Sequence, residues 1–176
     1  GQQLACIQHI ALLGGACVPA QLGPELEYDA AALSQARRAS GAPLMIVCSP
    51  NNPTGQIYSS GSLSALSQLL TVKSQDYGHT IYLVSDEPYR KIVFDGRPVP
   101  SIFQAYPESL IATSYSKDRS IPGERIGFAA VNPAATYKHD IRAALALTNR
   151  ILGFVNAPAL MQRVVACLQG TSVDMG

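Results

Sequence analysis

Three short segments of the chain carry side chains that could share one piece of chemistry. They are Pro50-Asn51-Asn52-Pro53-Thr54-Gly55, Ser85-Asp86-Glu87-Pro88-Tyr89, and Ser114-Tyr115-Ser116-Lys117 running on to Gly123-Glu124-Arg125-Ile126-Gly127. Together they offer an amide, a carboxylate, a phenol, a primary amine, a hydroxyl and a guanidinium. A lysine amine forms covalent adducts with carbonyl compounds. A carboxylate can hold a proton on a heterocyclic ring nitrogen, and an arginine fork with a hydroxyl suits a phosphate. Each segment follows an apolar run that reads as a buried strand.

That inventory is what a pyridoxal phosphate site needs. With Asn52-Pro53-Thr54-Gly55, then Asp86-x-x-Tyr89, then Ser114-x-Ser116-Lys117 and Arg125-Ile126-Gly127 in this order, the chain resembles the fold-type-I, class I/II pyridoxal-phosphate-dependent aminotransferases, in their aspartate-aminotransferase-like branch. The resemblance covers almost the whole chain. It implies that Lys117 is the catalytic residue, bonding the cofactor aldehyde as a Schiff base and then moving a proton once substrate displaces it. Asp86 would pair with the protonated ring nitrogen, and Asn52 and Tyr89 would both donate to the cofactor's phenolic oxygen. Ser114 and Arg125 would hold the phosphate. The implied activity is amino transfer between an amino acid and a 2-oxo acid, by a homodimer. In such proteins a portion with a phosphate loop and a stacking aromatic comes first, and a small domain with a carboxylate-binding arginine comes last. The 176 residues are therefore expected to form a single domain, the central part of the large cofactor-binding domain, cut at both ends.

Plainer readings exist for the same residues. A lone lysine is usually at the surface, and an Asp at a strand end often caps a turn. Asn51 reads as turn structure, and Glu87 is expected to face away from the site. Ser116 is not required, and Arg119 and Glu124 read as loop charges. Ser114-x-x-Lys117 also matches the Ser-x-x-Lys nucleophile motif of penicillin-binding proteins and β-lactamases, but its Ser-Asp-Asn and Lys-Thr-Gly companions are missing. Two further alternatives stay open: a folded piece without activity by itself, and a pyridoxal-phosphate-dependent lyase of the same fold.

Thirteen basic and twelve acidic residues give a net charge of +1. With no basic block, nucleic acid is not an expected partner. Hydrophobic residues make up 47% and charged ones only 14%, against a usual ~25% charged, so either the chain is largely covered by partners or it is part of something larger. No run of apolar residues is long enough for a membrane span. Cys6, Cys17, Cys48 and Cys167 form no C-x-x-C pair, and His9, His79 and His139 are scattered, so no metal site is expected and the thiols read as reduced, in a cytoplasmic protein. The start, Gly1-Gln2-Gln3, lacks both a basic leader region and an initiating Met, so the natural N-terminus is expected elsewhere.

The elements that must position these groups follow from periodicity. Helices are expected over 2–13 and from Asp29 to 39, with a short strand at 16–20. Strands are expected at 44–49, 81–84, 110–113 and 125–131. Leu63, Leu66, Leu69 and Leu70 mark a crossover helix, and Asp95-Gly96 a turn. Pro122-Gly123 keeps Lys117 out of a helix. Helices follow over 136–152 and 156–168, the second with Asn156 as cap and Pro158 in its first turn. Alternating strands and helices argue for an α/β fold, a mostly parallel sheet in three layers flanked by helices. All three motifs fall at carboxyl ends of strands, where ligands bind in such sheets.

Overall fold

In the computed structural model, residues 16–19 and 43–171 are described. The apolar runs become strands β1 (Leu44–Cys48), β2 (Tyr82–Asp86), β3 (Ser109–Ser114) and β4 (Gly127–Val131). Helices are α1 (Ser60–Tyr77), α2 (Ile102–Ala105), α3 (Lys138–Ile151) and α4 (Ala159–Cys167). The strands form one sheet in the order β1-β2-β3-β4. β1–β2 and β2–β3 pair in parallel, and β4 runs antiparallel to β3. The expected α/β sheet is present, with one reversed edge strand.

The crossover helix α1 is bounded by its own sequence. Ser59 caps its start by accepting from the Ser62 amide, and Gly78, at φ 66, ends it by donating to Gln75 and Ser74 carbonyls. That left-handed turn is cheap only for glycine. Leu63, Leu66 and Leu70 then lie on one face and are buried with Val47, Tyr58, Ile81, Leu83, Ile102 and Tyr106. This core holds the parallel strands in place from one side. Tyr106 closes it with a polar tie, its hydroxyl donating to the Ile81 carbonyl at 2.8 Å. Asn132, buried just after β4, adds another by donating to the carbonyls of Phe103 and Tyr106.

The structure departs from expectation in several places. β1 alternates rather than being buried on both faces: Met45 and Val47 pack on the core, while Leu44 and Ile46 are exposed, as the two-residue period of a strand requires when the described helices cover one face. Residues 16–19 have no regular structure, and the rest of that expected strand, like the helices over 2–13 and from Asp29 to 39, lies outside the described residues. β4 begins at Gly127, because a 3₁₀ turn (Pro122–Glu124) ends at Arg125 with φ 50. α3 begins at Lys138 because Thr136 turns aside to donate its amide and hydroxyl to Glu108. α4 begins at Ala159 with Pro158 in the cap position. Asn156 is not a cap: its amide donates to the Phe154 carbonyl in a stretch bent by Gly153 (φ 83) and Val155 (φ 55).

Candidate active site

The carboxyl ends of β1, β2 and β3 carry the three motifs side by side. In the first, Gly55 (φ 72) lets the chain fold back so that its amide reaches the Asn51 carbonyl at 2.8 Å, and the Asn51 amide reaches Gln56 at 2.9 Å. Thr54 donates its hydroxyl to the Asn51 side-chain oxygen at 3.0 Å. Asn51 is thus occupied within the turn. Asn52 points outward, and its amide donates to the Tyr89 hydroxyl at 3.0 Å.

In the second, Asp86 is the last residue of β2, paired in register with Cys48 on one side and Ala112 on the other. Burial pushes its carboxyl up from the ordinary value, because a low-dielectric setting disfavours the charged form. Glu87 faces the other way. It is 4% exposed, and its carboxylate meets Arg90 at 3.2 Å. Burial raises its carboxyl too, opposed by the Arg90 charge. Arg90 also donates to the Val99 and Pro100 carbonyls at 2.7 and 3.3 Å, fastening the Asp86–Tyr89 turn to the approach to α2. The Glu87 carbonyl takes the Thr113 hydroxyl at 2.9 Å.

In the third, Ser114 ends β3. Its hydroxyl is buried with no hydrogen-bond partner. Opposite it lies Gly127, where a Cβ would collide with the Thr113 carbonyl oxygen and sit 3.0 Å from the Ser114 Cα. The pairing runs one step past this crossing, the Tyr115 amide donating to the Ile126 carbonyl at 3.1 Å, so Arg125, two residues before Gly127, returns to the end of β3. Arg125 is exposed and spends one guanidinium donor on the Pro122 carbonyl at 3.1 Å. Lys117 lies in a turn, exposed, with its Nζ 5.9 Å from the centre of the Tyr89 ring, within reach of a cation–π attraction.

The structure therefore brings Asn52, Tyr89 and Lys117 together directly, and paired backbone returns the segment that carries Arg125 to the Ser114 end of β3. Asp86 stands at the same sheet edge. The desolvation that a lysine base needs is not supplied by the described residues around Lys117. One sequence reading is corrected. Arg119 is no solvated loop charge but is 7% exposed, donating to the carbonyl and hydroxyl of Thr171. The adjacent Asp118 is also largely buried and meets Lys91 at 3.3 Å. Two charges following the lysine were the only signal of this cluster, and they read equally well as solvent-facing.

An open α/β sheet with polar motifs at its strand ends is the class of scaffold that binds cofactors at that edge. The model of the aminotransferase class I and II family matches residues 6–172, and the chain belongs to that family. It is 33% identical over 131 residues to a histidinol-phosphate aminotransferase of Symbiobacterium thermophilum, a match spanning 73% of this chain and 34% of that protein. It is 38% identical over 90 residues to an aspartate aminotransferase of Geobacillus stearothermophilus, spanning 49% of this chain and 21% of that one. Among solved structures, an aminotransferase from Eubacterium rectale superimposes with a TM-score of 0.91 at 37% identity, over 96% of this chain and 42% of its own. A mutant of Thermus thermophilus aspartate aminotransferase superimposes with a TM-score of 0.70 at 26% identity, over 90% and 38%. The chain thus spans well under half the length of these relatives.

Proposed function

We propose that this chain, as part of its whole protein, serves pyridoxal-phosphate-dependent transfer of an amino group between an amino acid and a 2-oxo acid. The observation that carries the reading is the meeting of Asn52, Tyr89 and Lys117: an amide-to-phenol hydrogen bond of 3.0 Å beside an amine 5.9 Å from the same ring. When bound, pyridoxal phosphate supplies an electrophilic aldehyde and a protonated ring that draws electrons from the substrate's Cα. The residues fit that group. Asp86, its carboxyl raised by burial, is a site in want of a cation, and a ring N–H⁺ supplies one. The buried Ser114 hydroxyl, unpartnered, is a donor in want of an acceptor, and a phosphate oxygen supplies that.

Each side chain then has a task. Lys117 would be the amine that holds the cofactor aldehyde and would carry a proton at its Nζ. Asp86 would hold a proton on the ring nitrogen. Tyr89 and Asn52 would donate to the phenolic oxygen, and Ser114 and Arg125 would hold the phosphate. Residues 1–176 serve as one domain, the central part of the cofactor-binding domain. The relatives' names divide between aspartate and histidinol phosphate, so the substrates are an amino acid and a 2-oxo acid, and the whole protein acts as a homodimer in the cytoplasm. No helix among the described residues is long and apolar enough to cross a membrane.

The test is borohydride reduction of the whole protein loaded with pyridoxal phosphate, followed by peptide mass mapping and an amino-transfer assay. A pyridoxyl group on Lys117 together with amino transfer is the expected result. Label on Lys73, Lys91 or Lys138 instead would overturn the assignment.

A further inference from the structure

Lys117 is exposed, yet the two residues after it are buried charges: Asp118 and Arg119 keep 9% and 5% of their side-chain surface. Charged side chains are seldom so covered unless they are paired. Each is paired to a different part of the molecule. Asp118 reaches Lys91 at 3.3 Å, and Lys91 lies two residues past Tyr89, on the turn that carries the phenol. Arg119 reaches the Thr171 carbonyl and hydroxyl, just after α4. Between themselves they are only loosely joined, Arg119 Nε lying 3.8 Å from Asp118 Oδ2. Asp118 Oδ1 and Arg119 Nε are buried with no hydrogen-bond partner. An arrangement that leaves such groups unpaired carries a cost, and a functional constraint on the turn would account for it.

We propose that Asp118 and Arg119 are positioning residues that brace the Lys117 turn from two sides, Asp118 locking it through Lys91 to the Tyr89 turn and Arg119 locking it to the end of α4. The proposal rests on Lys117 being the amine that bears the cofactor. The brace acts on the main chain of the turn, whose own bonds are two long ones, from the Arg119 amide to Tyr115 and from the Ser120 amide to Lys117, both 3.3 Å. Without the two side-chain anchors, little else among the described residues holds the lysine over the Tyr89 ring. Misplacing a reacting group by about 1 Å can cost about a hundredfold in rate.

The experiment compares whole-protein variants Lys91→Met, Asp118→Asn, the double variant, Lys91→Arg and Arg119→Lys. Lys91 is 59% exposed on its side chain, so its replacement leaves the fold in place. Three readouts are taken: amide hydrogen exchange over 116–120 in cofactor-free protein, the rate at which added pyridoxal phosphate becomes reducible onto Lys117, and the steady-state kinetics of amino transfer. Lys91→Met and Asp118→Asn should each speed exchange and slow attachment about tenfold. The double variant should be no slower than either single one, since both remove the same contact. Lys91→Arg should keep the wild-type attachment rate, whereas in Lys91→Met and Asp118→Asn kcat should fall with KM for the amino donor within about twofold. Arg119→Lys, which cannot reproduce the guanidinium fork, should loosen the same amides. Wild-type exchange and attachment rates in Lys91→Met and Asp118→Asn would overturn the brace. Wild-type protein labelled at another lysine would instead overturn the functional reading beneath it, so the two failures are distinguishable.

Discussion

The Asn52 side-chain amide and the Tyr89 hydroxyl, from turns after different strands, meet at 3.0 Å. The bond joins the first two motifs before any ligand is considered, and it orients the phenol. Because the donor is the amide, the tyrosine's own proton is free to point elsewhere.

A double-mutant cycle checks that link. Asn52→Ala and Tyr89→Phe should each lower kcat/KM by about tenfold or more in the whole enzyme. Their losses should not add, with an interaction of about 0.5–3 kcal/mol. Strict additivity would show that the two groups work separately.

Asp86 gives a pH-dependent prediction. Its carboxyl is raised in the folded chain by burial, so the folded state holds the proton more tightly than the unfolded one. Stability from this group is therefore present at low pH and lost as pH rises through the raised value. Asp86→Asn should melt at a higher temperature than wild type at pH 7 when cofactor-free, and the gap should close below about pH 4, near the ordinary value. With pyridoxal phosphate bound, the ring cation should reverse the order. If Asp86 holds the ring proton as proposed, turnover of the variant should drop by several orders of magnitude. Equal melting temperatures at pH 7 would show that Asp86 is not strained in the empty site.

Ser114→Ala separates binding from folding. Removing a buried, unpartnered hydroxyl relieves a desolvation cost, so thermal stability without cofactor should hold or rise. Affinity for pyridoxal phosphate should fall about tenfold or more, since a hydrogen bond to a charged group is worth about 1.5–3 kcal/mol. Unchanged affinity by titration would remove Ser114 from the phosphate site.

Gly127→Ala should do the opposite, harming the fold first. The added methyl meets backbone atoms of Thr113 and Ser114, which cannot swing away, and overpacking of this kind costs about 1–3 kcal/mol. Denaturant unfolding measures it, and a wild-type midpoint would mean that β4 can shift at no cost.

Much of this was legible in the chain. Parallel strands announce themselves as apolar runs, so β1, β2 and β3, and the positions of Asn52, Asp86, Tyr89, Ser114 and Lys117 at or just past their carboxyl ends, could be placed from residue order. The exceptions share a cause. The exposure of Leu44 and Ile46, the late start of α3 behind the Thr136–Glu108 bonds, and the burial of Arg119 against Thr171 all depend on partners distant in the sequence. Local pattern carries no record of such partners. The same limit hid the brace, since Lys91 and Asp118 belong to different turns.

The antiparallel return of β4 works as a ruler. Lys117 rides on an excursion whose two ends are zipped at Ser114 and Gly127, so the register of that zip, two residues from Arg125, sets where the arginine's backbone stands relative to Ser114. Deleting or inserting a single residue between 118 and 124 would either slip the zip, turning every β4 side chain to the opposite face, or be absorbed in the turns around Lys117 while Arg125 stayed put. A spacing that looks like a sequence signature is thus a mechanical gauge: register fixes where Arg125 returns to the sheet, and the residues between set the slack left to the Lys117 turn.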